Sequence, residues 1–422
     1  MIHILHITPH IGGGIGSALH GITAPLPHYR HDVLLLESPQ KPQGLDKLKD
    51  NGCVFHMPDA DISSLLAAAD IVQFHWWHHP AMCRFLNTLP TIPIRAVLWV
   101  HVSGCTYPYL RAALLQRFQH VFFACRHAYD NPEVAALPPP FLSEQTSIVY
   151  GMGDVTPFTH LTPIPHQGFR VGYVGTLSYS KLHPDFTHFC AAAPQDTHFI
   201  MVGDPQNADC IRADCATAGA AQPIDFLGFR TDVAQLYQTF DAFGYPLHPL
   251  HFGATENVIL EAMASGLPVV ALRQAVEQHI VQDGVTGILA DDPTSYGRAL
   301  TYLRDHPTER QSMGMRARQS VMERFSVQDN LQRLHAGYRA VMAMDKHPVS
   351  FAGLWGGTPA DWFLYAVEAE RPLFTPGADM WQLPHIFKET SKSSVHHFAS
   401  VYPDDPRLAL WSQQLKEAER HE

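Results

Sequence analysis

Short apolar runs, each bounded by turn residues and followed by a helical pattern, constrain this chain more than any other feature. They fall at Ile2 to Ile7, Asp32 to Leu36, Ile71 to Trp76, Ala96 to His101 and Val121 to Ala124. Strand runs alternating with helical stretches are the mark of a parallel sheet built from βαβ units. A Pro-rich passage with Pro138, Pro139 and Pro140, then Pro157, Pro163 and Pro165, interrupts the rhythm. It restarts at Phe169 to Val174 and continues through His198 to Val202, Ile224 to Leu227, Ala242 to Tyr245 and Val269 to Leu272. Two Rossmann-like doubly wound α/β domains in tandem are the simplest account. At 422 residues the chain also exceeds what one core usually organises.

The expected division is 1–160 for a first domain and 161–325 for a second. A helix over 326–344 would cross back to the first domain, and an extension over 345–422 would pack on the body. That extension holds Trp355, Trp362, Trp381 and Trp411 and no βα period. It reads as an irregular tail with short helices at Pro359 to Glu370 and Pro406 to Glu417, its aromatics packed rather than solvated.

Composition narrows the function. With 29 Lys+Arg against 40 Asp+Glu, the net charge of -11 argues against sequence-independent nucleic-acid binding. The 7 cysteines are scattered and never spaced C-x-x-C, so they read as reduced thiols and signal neither a disulfide framework nor a zinc site. Met1 to Ile7 lacks the features of a cleaved leader, and no apolar stretch is long enough for a membrane span. The expectation is a cytoplasmic protein, with room for peripheral contact at a membrane surface.

Two segments carry candidate chemistry. Pro9-His10-Ile11-Gly12-Gly13-Gly14-Ile15-Gly16-Ser17 follows the opening strand and leads into a helix start. Gly13, Gly14 and Gly16 would let the backbone approach a phosphate, although a tight turn or a dinucleotide loop has similar features. The second segment is Gly253 to Ala271. Thr255 reads as the cap of a helix with Val258, Ile259, Ala262 and Met263 inward, and Gly266 and Pro268 end it before an apolar strand. Glu261 then stands about one turn into a helix that opens at the carboxyl end of the sheet, where it can accept both hydroxyls of a ribose. The amides of Asn257 and Val258 would meet a diphosphate.

The run Glu261 to Ala271 resembles the nucleotide-binding signature of family 4 retaining glycosyltransferases of the GT-B fold, in which Glu, seven residues and Glu precede Ala-Met-Ala-x-Gly-x-Pro-Val-Val. Gly172 to Leu177 with Lys181, Phe226 to Val233, and Asp283 to Leu289 occur in the expected order, so the resemblance spans roughly residues 1 to 340. It implies two domains facing across a cleft and transfer of a hexose-type sugar, with retention, from a UDP- or GDP-linked donor to a glycan, lipid-linked or small-molecule acceptor. By the same resemblance Lys181 holds the donor diphosphate, Glu261 the ribose, and the backbone around Phe229 and Arg230 the base. Two positions depart from the family pattern. Its first acidic residue falls on Gly253 and the arginine accompanying the lysine falls on Thr176. Glu256 and Asn257 are close enough to replace the missing carboxylate on the sugar, as are His248 and His251.

His101 ends a strand where related enzymes keep a histidine facing the donor, and it is the candidate reaction centre beside Lys181 and Glu256. His75, Trp76 and Trp77 are assigned to the acceptor side, because sugars stack on aromatic faces. A zinc reading of His75, His78 and His79 is set aside for want of a nearby carboxylate or cysteine. The triplet Asp59-Ala60-Asp61 precedes a helical pattern, where Asp61 reads as a cap. No metal and no cofactor beyond the nucleotide sugar is therefore expected. A sugar-nucleotide epimerase or phosphorylase on the same plan, or a non-catalytic nucleotide-sugar binder, is the alternative.

Overall fold

The computed structural model describes residues 1–23, 28–38, 43–204, 207–274, 276–389 and 392–418. The chain forms two compact units: Met1–Gly153, Phe252–Thr255 and Val327–Glu422 make one, while Asp154–His251 and Glu256–Ser326 make the other.

The first unit is built on β1 (Ile2–Thr8), β2 (Tyr29–Leu35), β3 (Val54–His56), β4 (Ile71–Trp76), β6 (Ala96–Val100), β7 (His120–Phe123) and β8 (Thr146–Ile148). They form a seven-stranded sheet in the order β3-β2-β1-β4-β6-β7-β8, parallel throughout. The short β5 (Pro93–Ile94) pairs separately, and antiparallel, with β15 (His347–Pro348). Phe74, Trp99, Phe122 and Phe123 are completely buried on this sheet, and full burial of such a side chain contributes about 1.5–3 kcal/mol. The chain order reverses direction across β1 and β4, the switch point at which open α/β sheets bind ligands.

The helix Val327–Met342 lies in this unit. Tyr338 donates to Gln73 Oε1 at 2.6 Å, and Asn330 exchanges two hydrogen bonds with the backbone of Tyr150. Residues beyond it pack on the same unit. Trp355 stacks on Trp76 at 5.9 Å and 7°, Tyr402 donates to Pro80 O at 2.6 Å, and Ser393 Oγ donates to Trp77 O at 3.2 Å. The tail is more helical than the sequence reading allowed. Pro359–Tyr365 and Pro406–Ala418 are joined by His385–Lys388 and Val395–Val401. Ser394 caps the last of these by accepting the His397 N–H.

The second unit holds β9 (Phe169–Val174), β10 (Thr197–Val202), β11 (Ile224–Phe226), β12 (Ala242–Tyr245), β13 (Val269–Leu272) and β14 (Gly287–Ala290). They form a six-stranded parallel sheet in the order β11-β10-β9-β12-β13-β14. Its switch point falls between β9 and β12, so the loops after those two strands share one crevice. The segment after β9 carries Lys181, and the segment after β12 runs into the helix Asn257–Ala264.

Candidate active site

The second unit brings together residues far apart in sequence. Lys181 Nζ donates to both carboxylate oxygens of Glu256, each at 2.8 Å, and Tyr245 adds its hydroxyl at 2.9 Å. His251 stands between two glutamates, Nδ1 3.8 Å from Glu256 and Nε2 3.1 Å from Glu277 Oε1. Burial pushes the Glu256 carboxyl upward. The positive charge of Lys181, with help from His251 and the hydrogen bonds of Lys181 and Tyr245, outweighs this and holds it below the ordinary carboxylate value. A charged, ordered Lys–Glu pair is therefore in place, and an arriving anion would compete with Glu256 for the lysine.

Glu256 also occupies an unusual backbone position. Its φ of 45° lies in the left-handed region, which costs about 1–2 kcal/mol for a residue with a Cβ. It is the residue that precedes the helix Asn257–Ala264, and no side-chain hydrogen bond caps that helix from it. The first amides, those of Asn257 and Val258 among them, form a helix N-terminus of the kind that attracts anions. Thr255 was expected to cap this helix. Its hydroxyl instead donates to Ala124 O and accepts the Gly151 N–H, both at 2.8 Å, within the first unit.

Glu261 lies one turn further along. Burial pushes its carboxyl up to about 7, against the weak opposing effect of the Tyr237 hydroxyl 3.3 Å from Oε2. It does not bond Lys181. Phe229 and Arg230 follow β11 on the same edge. Phe229 is 69% exposed, and Arg230 is paired with Asp232.

In the first unit the loop after β1 adopts the conformation its glycines permit. Gly13 has φ of 63°, a Cβ on Gly16 would stand 2.3 Å from Ile11 O, and the helix Gly14–Thr23 begins at once. Across the switch point, the His10 ring lies 5.3 Å from Trp77 and 5.7 Å from His79. His101, at the end of β6, donates its backbone N–H to Trp76 O at 2.8 Å. Its ring lies edge to edge with that of His75 and nearly in the same plane, the centroids 5.2 Å apart and the planes 9° apart. Burial lowers its imidazole to about 3, so it is neutral at physiological pH. Of the three residues assigned to the acceptor side, His75 is fully buried between His6 and His101 and Trp76 is covered by Trp355. Neither presents a face for stacking, because the tail and the sheet interior claim both. Trp77 retains 8% exposure beside His10.

The sequence reading found no carboxylate or cysteine near the histidine cluster, but tertiary packing supplies both. Glu37, His79 and His397 place ligand atoms within 4.8 Å of one another, and Cys83 Sγ lies 4.0 Å from His78 Nδ1. However, His79 Nδ1 accepts the Ala81 N–H and His397 Nδ1 accepts the Ser393 N–H. A neutral ring bonded in that way carries its proton on Nε2 and offers no second lone pair to a metal. These rings suit donation to Glu37, whose Oε2 is 3.6 Å from His79 Nε2. Asp61 caps the helix Ile62–Ala68 by accepting the Ser64 N–H.

Residues 168–306 match the family described as glycosyl transferases group 1. The fold and this domain define the class: the chain is a GT-B protein carrying a group 1 glycosyl transferase domain, and the resemblance to the family 4 enzymes holds. Among curated proteins it is similar to the D-inositol 3-phosphate glycosyltransferase of Corynebacterium diphtheriae, 35% identical over 131 residues, or 29% of this chain and 30% of that protein. It is also similar to the N-acetyl-alpha-D-glucosaminyl L-malate synthase of Bacillus anthracis, 30% identical over 155 residues, or 36% of this chain and 40% of that protein. The chain thus spans well under half the length of these curated relatives. Among solved structures, HepE of Anabaena in complex with UDP-glucose aligns with a TM-score of 0.66 at 17% identity, covering 81% of this chain and 100% of that one. Sucrose-phosphate synthase of Thermosynechococcus elongatus aligns at 0.61 and 16% identity, again over 81% and 100%. Among the described residues no helix is long and apolar enough to cross a membrane.

Proposed function

We propose that this chain is a retaining glycosyltransferase that moves a hexose-type sugar from a UDP- or GDP-linked donor to a glycan, lipid-linked or small-molecule acceptor, in the cytoplasm and without a metal. The observation that carries the reading is the group 1 domain match over residues 168–306, which encloses Lys181 and the helix bearing Glu261 at one switch point. In this reading the ribose hydroxyls donate to Glu261. The diphosphate meets Lys181 and the amides of Asn257 and Val258, and the base sits against the backbone of Phe229 and Arg230. Glu256 stands in for the carboxylate absent at Gly253, exchanging part of its bond to Lys181 for a hydroxyl of the transferred sugar. On the first unit, the Gly13, Gly14 and Gly16 amides offer donors to a phosphate, and His101 offers one to a sugar. Charge on the departing diphosphate is met by the lysine and helix amides. Trp77 is the remaining aromatic for an acceptor, and a lipid-linked acceptor would be reached by peripheral membrane contact.

The test is turnover of a panel of UDP- and GDP-sugars with mixed acceptors in EDTA. A charged hydrogen bond contributes about 1.5–3 kcal/mol, so Lys181→Ala and Glu261→Ala should each lose about 10–100-fold in kcat/KM. Turnover of donor without acceptor would identify an epimerase, and dependence on free phosphate a phosphorylase. Donor binding with no turnover on any acceptor would identify a non-catalytic binder.

A further inference from the structure

Four imidazoles run edge to edge through the first sheet. His31 Nδ1 lies 2.9 Å from His6 Nε2, His6 Nδ1 lies 3.2 Å from His75 Nε2, and His75 Nδ1 lies 2.9 Å from His101 Nε2. The first three residues sit on β2, β1 and β4 and the last at the end of β6, four strands that are neighbours in that order. His6 and His75 are 0% exposed and His31 is 4% exposed. Burial lowers His6 and His75 far below the ordinary imidazole value, His31 to about 4 and His101 to about 3. Each ring is therefore neutral at physiological pH and carries one N–H.

The proton count then leaves little freedom. Every contact needs one N–H facing one bare nitrogen. With one proton per ring, only two arrangements satisfy all three contacts, namely every ring protonated on Nδ1 or every ring on Nε2. Any mixture sets two protons or two lone pairs against each other. The two arrangements differ at the ends of the chain. In the second, His31 carries an N–H on Nε2, an atom that is buried and has no hydrogen-bond partner among the described residues. In the first, the terminal N–H is His101 Nδ1, on a half-buried ring beside a glycine. Water or a ligand can meet an N–H at such an edge, whereas a sealed one loses its hydration without replacement.

We infer that His31, His6, His75 and His101 form one tautomeric unit protonated throughout on Nδ1, which makes His101 a hydrogen-bond donor through Nδ1. The other three are positioning residues for it. A Cβ added at Gly151 would lie 3.3 Å from that nitrogen, 3.4 Å from Thr255 Oγ1 and 3.6 Å from Ala124 Cβ, so the glycine keeps a side chain off that edge of the ring. That the ligand is a nucleotide sugar rests on the reading given above, but the protonation pattern does not.

Free imidazole in water favours Nε2–H, so a uniform Nδ1–H pattern would be the chain's own signature. Long-range proton–nitrogen correlation spectra of the full-length protein labelled in its histidines, at neutral pH and without ligand, read it directly. All four rings should show a protonated Nδ1 and a bare Nε2. A protonated Nε2 on any of the four, or disagreement among them, overturns the inference. His31→Phe leaves His6 Nε2 as the sealed end of the row and His31→Asn keeps a donor facing it, so both should leave His6, His75 and His101 protonated on Nδ1. A His101 that moves its proton to Nε2 in a folded His31→Phe protein also overturns the inference. Should the phenylalanine variant fail to fold, the wild-type and asparagine spectra still decide. Absence of sugar transfer alongside the uniform pattern would sink the proposed reaction and leave this inference standing.

Discussion

Replacing Glu261 by Gln removes the ionisation of a carboxyl that burial has pushed up to about 7. If two ribose hydroxyls donate to this group, the donor binds the ionised form and expels the proton, so affinity must rise with pH. With that value the ionised fraction is about 0.1 at pH 6 and about 0.9 at pH 8. Apparent affinity for UDP-glucose should therefore improve about ten-fold over this range, or about 1.4 kcal/mol. The diphosphate of a sugar nucleotide is diesterified and stays fully ionised throughout, so it contributes no titration of its own. Isothermal calorimetry at pH 6, 7 and 8, in buffers of different ionisation enthalpy, reads both the affinity and the proton, with about half a proton released at pH 7. Glu261→Gln should flatten the profile and bind about ten-fold or more weakly at pH 8. A flat wild-type profile, or a Gln variant that keeps the slope, would refute the reasoning. The same shift acts on folding. The folded carboxyl holds its proton more tightly than the unfolded one, so between 4.5 and about 7 the native state loses stability as pH rises. The loss amounts to about 3 kcal/mol.

Acid should act on the first unit in the opposite sense. Burial lowers His31 and His120 to about 4 and His78 to about 3, so the unfolded chain takes up more protons and stability present above pH 6.5 is lost on the way down. Each such histidine withdraws up to about 3 kcal/mol by pH 4. All 7 tryptophans belong to this unit, so their fluorescence should report its loss between pH 6 and pH 4, and an unchanged spectrum at pH 4 would count against the burial argument. Lys181→Met takes the lysine charge from the buried Glu256 carboxylate, leaving it to the Tyr245 hydroxyl and His251, and should destabilise by about 3–5 kcal/mol in urea unfolding. Adding Glu256→Gln should restore part of that, whereas additive losses would mean the pair is not coupled. In Gly203→Ala the new Cβ would meet Gly175 O at 1.8 Å, a backbone clash that should cost about 1–3 kcal/mol and lower the thermal midpoint.

The sequence by itself determined the two parallel sheets, because apolar strand runs alternating with helices leave few other ways to bury both faces of each strand. It also placed the glycine loop after β1, Lys181 after β9 and Glu261 in its helix, since glycines, apolar periodicity and strand ends are local signals. Partnerships belong to the tertiary structure, because they depend on which strands become neighbours. Glu256 was legible as a carboxylate near the helix start, but Lys181 and Tyr245 meet it only because β9 and β12 adjoin at the switch point. His6 and His31 gave no signal beyond being polar residues in apolar strands, and they join His75 and His101 only through the order β2-β1-β4-β6. Covering of Trp76 by Trp355 and the approach of Glu37 to His79 likewise required the fold. Local preference acts over a few residues along the chain. Sheet order and packing join residues tens or hundreds of positions apart, and there the protein sets which of its polar groups are paired, buried or open to a ligand.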